Sequence, residues 1–227
     1  FPDAIDIIDA IRPRAVMIEN VRGFLDPVFS DYREGLKAEL KKLGYKTVWH
    51  LLNASTFGVP QLRPRVVIVA IEDDKSDLFD WENLPTRAPK TVGETLVDLM
   101  SANGWRGAKT WAARANEIAP TIVGGSKKHG GPDLGPTRAK KAWATLGVNG
   151  MTIAEEAPES NFAGMPRLTV PMVARLQGFP DNWHFTGRKT AAYRQVGNAF
   201  PPPVAQVVAE NIGIALQRNS RPLRRAA

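Results

Sequence analysis

Four apolar residues, Ala15-Val16-Met17-Ile18, run directly into a carboxylate and an amide, Glu19-Asn20, and no other stretch constrains the chain as much. An unbroken apolar run of that length, placed after Arg12-Pro13-Arg14, predicts a strand buried on both faces of a parallel sheet. In open α/β sheets ligands bind beyond the carboxyl ends of the strands, so Glu19 and Asn20 fall where chemistry is placed. Glutamate is rarely buried without a partner. Taken alone, Glu19 fits a cap on the next turn, or an ion pair with an arginine, equally well.

The surrounding pattern extends this α/β reading. Residues 3–11 predict a helix that Pro13 stops. Leu36, Leu40 and Leu43 recur at helical spacing between Asp31 and Leu43, with Gly44 as the C-terminal stop. Lys46–Leu52 suits a strand, 53–60 a loop, and Val66–Ile71 a second fully buried strand. The alternation then lapses. Residues 75–165 hold short helical stretches (92–100, 107–117, 136–146) between Gly- and Pro-rich connections, which predicts a separate, smaller domain with modest core patterning. Thr169–Leu176 predicts an amphipathic helix with Thr169 as its N-cap. Val204–Leu216 predicts a longer one, entered through Pro201-Pro202-Pro203, and Arg218, Arg221, Arg224 and Arg225 mark a basic tail. The expected domains are therefore 1–74, 75–165 and 166–227, the last returning to the first.

Composition removes several classes of chemistry. The 227 residues include no cysteine, which excludes disulfides, thiolate metal sites and a cysteine nucleophile within the chain. Three separated histidines (His50, His129, His184) do not make a metal cluster, so no metal is expected. No apolar run approaches the ~20 residues of a membrane span, nothing at the start resembles a signal peptide, and no membrane partner is expected. A net charge of +7 favours a polyanionic partner, with plain solubility as the competing explanation. The chain opens on Phe1 rather than Met, so a fragment or processed piece is expected.

Three further constellations carry chemistry. Gln61-Leu62-Arg63-Pro64-Arg65 places two arginines around a proline just before a buried strand, presenting rigid, permanently charged forks at a sheet edge. Gln195-Val196-Gly197-Asn198-Ala199 precedes the last helix, where glycine permits close backbone approach and asparagine offers both donor and acceptor. Thr121 to Gly131 forms a glycine-bracketed basic loop, and residues 105–141 hold eight Lys or Arg against two acids. Cations clustered on such a platform suit phosphate contacts, with Ser126 and His129 able to reach base edges. The competing readings are a solvated loop, a plain turn into a helix, and a solvated charged face.

In this order and spacing the blocks resemble the DNA methyltransferases that act on carbon 5 of cytosine. The family's Glu-Asn-Val block is Glu19-Asn20-Val21, and its Gln-x-Arg-x-Arg block is Gln61–Arg65. Its late Arg-Leu-x-Gly-Phe-Pro block is Arg175–Pro180, which is scaffold, and its final block is Gln195–Asn198. The resemblance implies the C-terminal part of a Rossmann-like methyltransferase sheet, with an inserted target-recognition domain at 75–165. It implies a catalytic role for Glu19, which would protonate the pyrimidine ring, and for Arg65, which would contact the carbonyl oxygen of a flipped base, with Arg63 in support. Gly197, Asn198 and Ala199 would bind S-adenosylmethionine. Gln61, Arg106, Thr121, Gly124, Gly125, Ser126, Lys127, Lys128, His129 and Arg138 would contact double-stranded DNA. A bacterial cytoplasmic location, on the nucleoid when DNA is bound, and a modification role follow as expectations.

The chain departs from the family in lacking the catalytic Pro-Cys block and the glycine-rich cofactor loop. The expected partner is therefore a cysteine-bearing N-terminal half or subunit, without which an apolar edge would be exposed. Competing readings are a catalytically inactive DNA-binding module and, on charge alone, an unrelated RNA-binding α/β protein.

Overall fold

The computed structural model of the chain describes residues 1–72, 79–124 and 131–218. The chain folds as two compact units: 1–52 with 64–85 and 205–227, and 53–63 with 86–204. Among the described residues no helix is long and apolar enough to cross a membrane.

The first unit is built on helix α1 (Pro2–Ile11), strand β1 (Ala15–Val21), helix α2 (Ser30–Lys42), and strands β2 (Tyr45–Asn53) and β3 (Pro64–Glu72). Pro2 starts α1, where a missing N–H costs nothing. The helix ends on Arg12, which adopts a left-handed conformation at φ 51° and returns its N–H to the Ile8 carbonyl at 2.8 Å. Pro13 is thus preceded by an active stop rather than being the stop itself. Leu36 and Leu40 are buried on α2, and Gly44 turns the chain at φ 89°.

The sheet order is β1-β3-β2, and β1 runs antiparallel to β3. This corrects the expectation of a parallel pair buried on both faces. Val66–Ile71 occupies the centre and is fully buried, as its apolar run requires, whereas β1 is only half-buried. An apolar run reports burial and not strand direction, so sequence could not choose between the two pairings. The register sets Glu19 opposite Val67 and Val21 opposite Arg65. Side chains alternate across the strands. Val66, Ile68 and Ala70 therefore face the core with Ile8, Phe24, Leu36, Leu40 and Tyr45, and Glu19 lies on the other face with Arg65 and Val67.

The second unit contains α3 (Val92–Met100), α4 (Ala108–Arg114), α5 (Thr137–Thr145), α6 (Val170–Leu176), α7 (Lys189–Asn198) and the first turn of α8 (Pro202–Arg218). Thr91 and Glu94 form a capping box on α3, and the Thr169 hydroxyl accepts from the Met172 N–H on α6. Its core draws on Leu96, Met100, Trp105, Trp111, Ile122, Leu134 and Trp143, together with Leu168 and Tyr193 from the later segment. The helices α3 to α7 supply one to four buried residues each, so the core is assembled from many short segments. Gln195–Asn198 precedes the last helix, and it forms the last turn of α7.

Candidate functional site

At the end of β1, the Nε of Arg65 lies 2.6 Å from Oε1 of Glu19, with side-chain exposures of 11% and 26%. The antiparallel register makes this pair: Glu19 faces Val67, and Arg65 is the next residue on the same face of β3. Burial pulls the Arg65 guanidinium below its ordinary value, while the charge and hydrogen bond of Glu19 oppose that shift. The guanidinium stays charged in any case, since its ordinary value is far above neutrality. The ion-pair reading of Glu19 is thus correct, and it coexists with access, because a quarter of the carboxylate side chain remains exposed.

Arg63 is two residues from Arg65 and is placed differently. It is 1% exposed and belongs to the second unit. One terminal nitrogen donates to the Ile122 carbonyl at 2.5 Å; the other donates to the carbonyls of Gly197 and Ala199 at 2.8 and 3.0 Å. Its fork thus ties the segment at 122 to the end of α7. A catalytic role for Arg63 does not fit this placement, because the guanidinium is enclosed by backbone oxygen atoms.

Gln61 is also fully buried, which corrects its assignment as a DNA contact. Its Oε1 accepts from the Ile122 N–H at 2.8 Å, and its Nε2 donates to Oε1 of Gln177 at 2.6 Å. The backbone around it pairs with the 119 segment: Leu62 N–H donates to Ala119 O and Ala119 N–H to Pro60 O. Gln177, which the sequence presents only as part of a scaffold block, completes the chain by donating to Ala199 O at 2.6 Å. The available signal was a glutamine set between Leu176 and Gly178-Phe179 at the end of an apolar helix.

The residues assigned to cofactor and to DNA adjoin within the second unit. A Cβ on Gly197 would meet the Gly124 backbone at 2.6 Å, and one on Gly124 would collide with the Asn198 Oδ1. Glycine is required at both positions by that approach. Gly197 is buried, and the Ala199 carbonyl already accepts two hydrogen bonds. Asn198 is exposed, and its amide supplies the donor and acceptor that a polar edge of S-adenosylmethionine needs. The exposed amide of Asn198 is thus of a kind that would fit one edge of such a site, and Gly197 would serve it only as packing.

Among the residues assigned to DNA, the Thr121 hydroxyl donates to the Leu62 carbonyl, so it anchors its segment. Val123 is exposed beside Gly124, and Arg106 and Arg138 are exposed on the same unit. Gly125, Ser126, Lys127, Lys128 and His129 lie outside the described residues. Among the described residues no group of His, Asp and Glu could hold a metal ion. The Tyr193 hydroxyl donates to the Asp133 carbonyl at 2.6 Å, and burial, reinforced by the Asp133 charge, pushes its phenol well above the ordinary range.

Comparison with known proteins places this geometry. The sequence model of the C-5 cytosine-specific DNA methylases matches residues 1–214. The chain is 56% identical over 219 residues to the Type II methyltransferase M.NaeI of Lentzea aerocolonigenes, covering 95% of this chain and 53% of that one. It is 47% identical to the Type II methyltransferase M.NgoMIV of Neisseria gonorrhoeae, covering 97% and 70%. The chain thus spans between about half and 70% of the length of these two relatives. The fold matches that of the Schizosaccharomyces pombe Dnmt2 methyltransferase with a TM-score of 0.56 at 18% identity, over 97% of this chain and 74% of that one.

Proposed function

Because the chain belongs to the C-5 cytosine-specific DNA methylase family, we propose that it supplies the acid, the orienting arginine and the DNA-reading surface for methyl transfer to carbon 5 of cytosine in duplex DNA. With no cysteine in its 227 residues, the nucleophile comes from another polypeptide segment. The observation that carries this reading is the Glu19–Arg65 pair, a carboxyl group held in one orientation at a strand end and still open to solvent.

Carbon 5 of cytosine is a weak nucleophile. A thiolate that adds to carbon 6 turns the ring into an enamine, and this addition is assisted when the ring nitrogen is protonated. Glu19 would deliver that proton, and Arg65 would fix the carboxyl and face the carbonyl oxygen of the base. S-adenosylmethionine would supply the methyl group, with Asn198 at one edge of its site, and loss of the carbon 5 proton would then expel the thiolate from carbon 6 and restore the aromatic ring. The target cytosine must leave the stack to be reached. Residues 75–165 would read the sequence, with Arg106 and Arg138 on phosphates and the residues from Gly124 through His129 towards base edges. A Type II modification setting in a bacterial cytoplasm accords with the named relatives.

The missing cysteine also favours a second reading, a recognition module without chemistry. The two separate in one assay: the chain is mixed with a cysteine-bearing N-terminal segment, duplex DNA and methyl-labelled S-adenosylmethionine. Label at cytosine carbon 5 supports the enzyme. DNA binding without label supports the module.

A further inference from the structure

We propose that Gln177 is a positioning residue that holds the Asn198–Ala199 corner and the Ile122–Gly124 segment as one mechanical element. The consequence for cofactor and target rests on the reading of Asn198 given above. Three hydrogen bonds run in series through fully buried amides: Ile122 N–H to Gln61 Oε1 at 2.8 Å, Gln61 Nε2 to Gln177 Oε1 at 2.6 Å, and Gln177 Nε2 to Ala199 O at 2.6 Å. The direction of the series is fixed at both ends, by a backbone donor at 122 and a backbone acceptor at 199. Flipping either amide would set donor against donor or acceptor against acceptor.

Gln177 is well held for this task. Its own N–H closes the end of α6 on the Val173 and Ala174 carbonyls at 3.0 and 3.1 Å. Gly178 follows at φ 89°, where a Cβ would meet Pro203 at 2.6 Å. The base of the side chain is therefore locked by helix end, turn and proline, and its amide has one place to go. Arg63 joins the same two ends in parallel, through the carbonyls of Ile122, Gly197 and Ala199. A displacement at Ala199 then reaches Ile122 by two rigid routes, and low local polarity strengthens each bond. Asn198, resting on Gly124, makes the corner's outer surface continuous with the recognition segment.

A side chain that only fills space would behave differently from one that transmits position, and amide hydrogen exchange on the full chain separates them. Gln177→Met keeps the volume and removes both polar contacts. Gln177→Glu keeps the acceptor towards Gln61 and replaces the donor towards Ala199. In Gln177→Met, exchange at Ile122 and Ala199 is expected to rise together at least tenfold. In Gln177→Glu, Ala199 is expected to rise first and Ile122 by a similar factor. The Leu96 and Val97 amides of α3 should stay within twofold in both variants. Three outcomes overturn the proposal: wild-type exchange in Gln177→Met, a rise at Ala199 without one at Ile122, or an equal rise through α3. Failure of the cofactor reading shows separately, as S-adenosylmethionine affinity unchanged in Asn198→Ala in the complex with the cysteine-bearing segment.

Discussion

Glu19 and Arg65 meet diagonally across an antiparallel strand pair, carboxylate oxygen to guanidinium nitrogen at 2.6 Å, because the register sets Glu19 opposite Val67. One residue of slip would send the two side chains to opposite faces. The pair thus depends on the fully buried centre strand that fixes the register. Replacing Arg65 by Ala leaves a partly buried carboxylate without its guanidinium and should lower stability by about 2–3 kcal/mol, below the roughly 3–5 kcal/mol of fully buried pairs because both side chains keep some exposure. Denaturant unfolding of the variant measures this. Arg65→Lys should recover only part of it, since an ammonium cannot reproduce the fork.

Removing the buried fork of Arg63 should be costlier. Arg63→Ala leaves the Ile122 and Gly197 carbonyls without their guanidinium donor, each at about 1–3 kcal/mol. Thermal unfolding should show the loss in the second unit. If Arg63→Ala instead left stability intact and removed only turnover, the scaffold assignment would give way to the catalytic one.

Glycine substitutions offer an internal control. Gly197→Ala forces a Cβ to within 2.6 Å of the Gly124 backbone and should destabilise by about 1–3 kcal/mol. Gly35, inside α2, has nothing within 4 Å of a built Cβ, so Gly35→Ala should stabilise by about 0.5–1 kcal/mol. Opposite shifts in melting temperature are the expected outcome.

Acid sensitivity should carry a contribution from Asp98. The hydrogen bond from Arg175 holds its carboxyl below the ordinary 3.8. A carboxyl lowered in the folded state contributes stability above its unfolded value and loses it as pH falls towards the folded one. Between pH 3.8 and the lowered folded value, wild type should lose stability more steeply than Asp98→Asn. Urea midpoints across that range check the slope; the effect is small because the side chain is largely exposed.

Much of the fold is legible in the sequence, and the exceptions share a cause. α1, α2, β2, β3 and α3 lie within a few residues of the spans their periodicity or apolar runs indicate. Strand direction is not legible, because an apolar run reports that a strand packs in a core and not which way its neighbour runs. The second core is hidden because Trp105, Trp111 and Trp143 enter from separate short segments. Arg63 and Arg65 look alike in sequence, one proline apart, yet one is enclosed by carbonyls and the other faces Glu19. Only tertiary partners distinguish them. Gln177 escapes notice for the same reason.

Central to the proposed mechanism is that Glu19 would act on the pyrimidine ring while another segment would bring the sulfur. The most direct measurement is methyl incorporation into duplex DNA by the chain completed with a cysteine-bearing segment, for wild type and Glu19→Gln, with DNA affinity measured on the same samples. The expected result is a loss of roughly 10²–10⁴ in turnover, the range for a general acid–base group, with affinity within a few fold. Unchanged turnover in Glu19→Gln would contradict it.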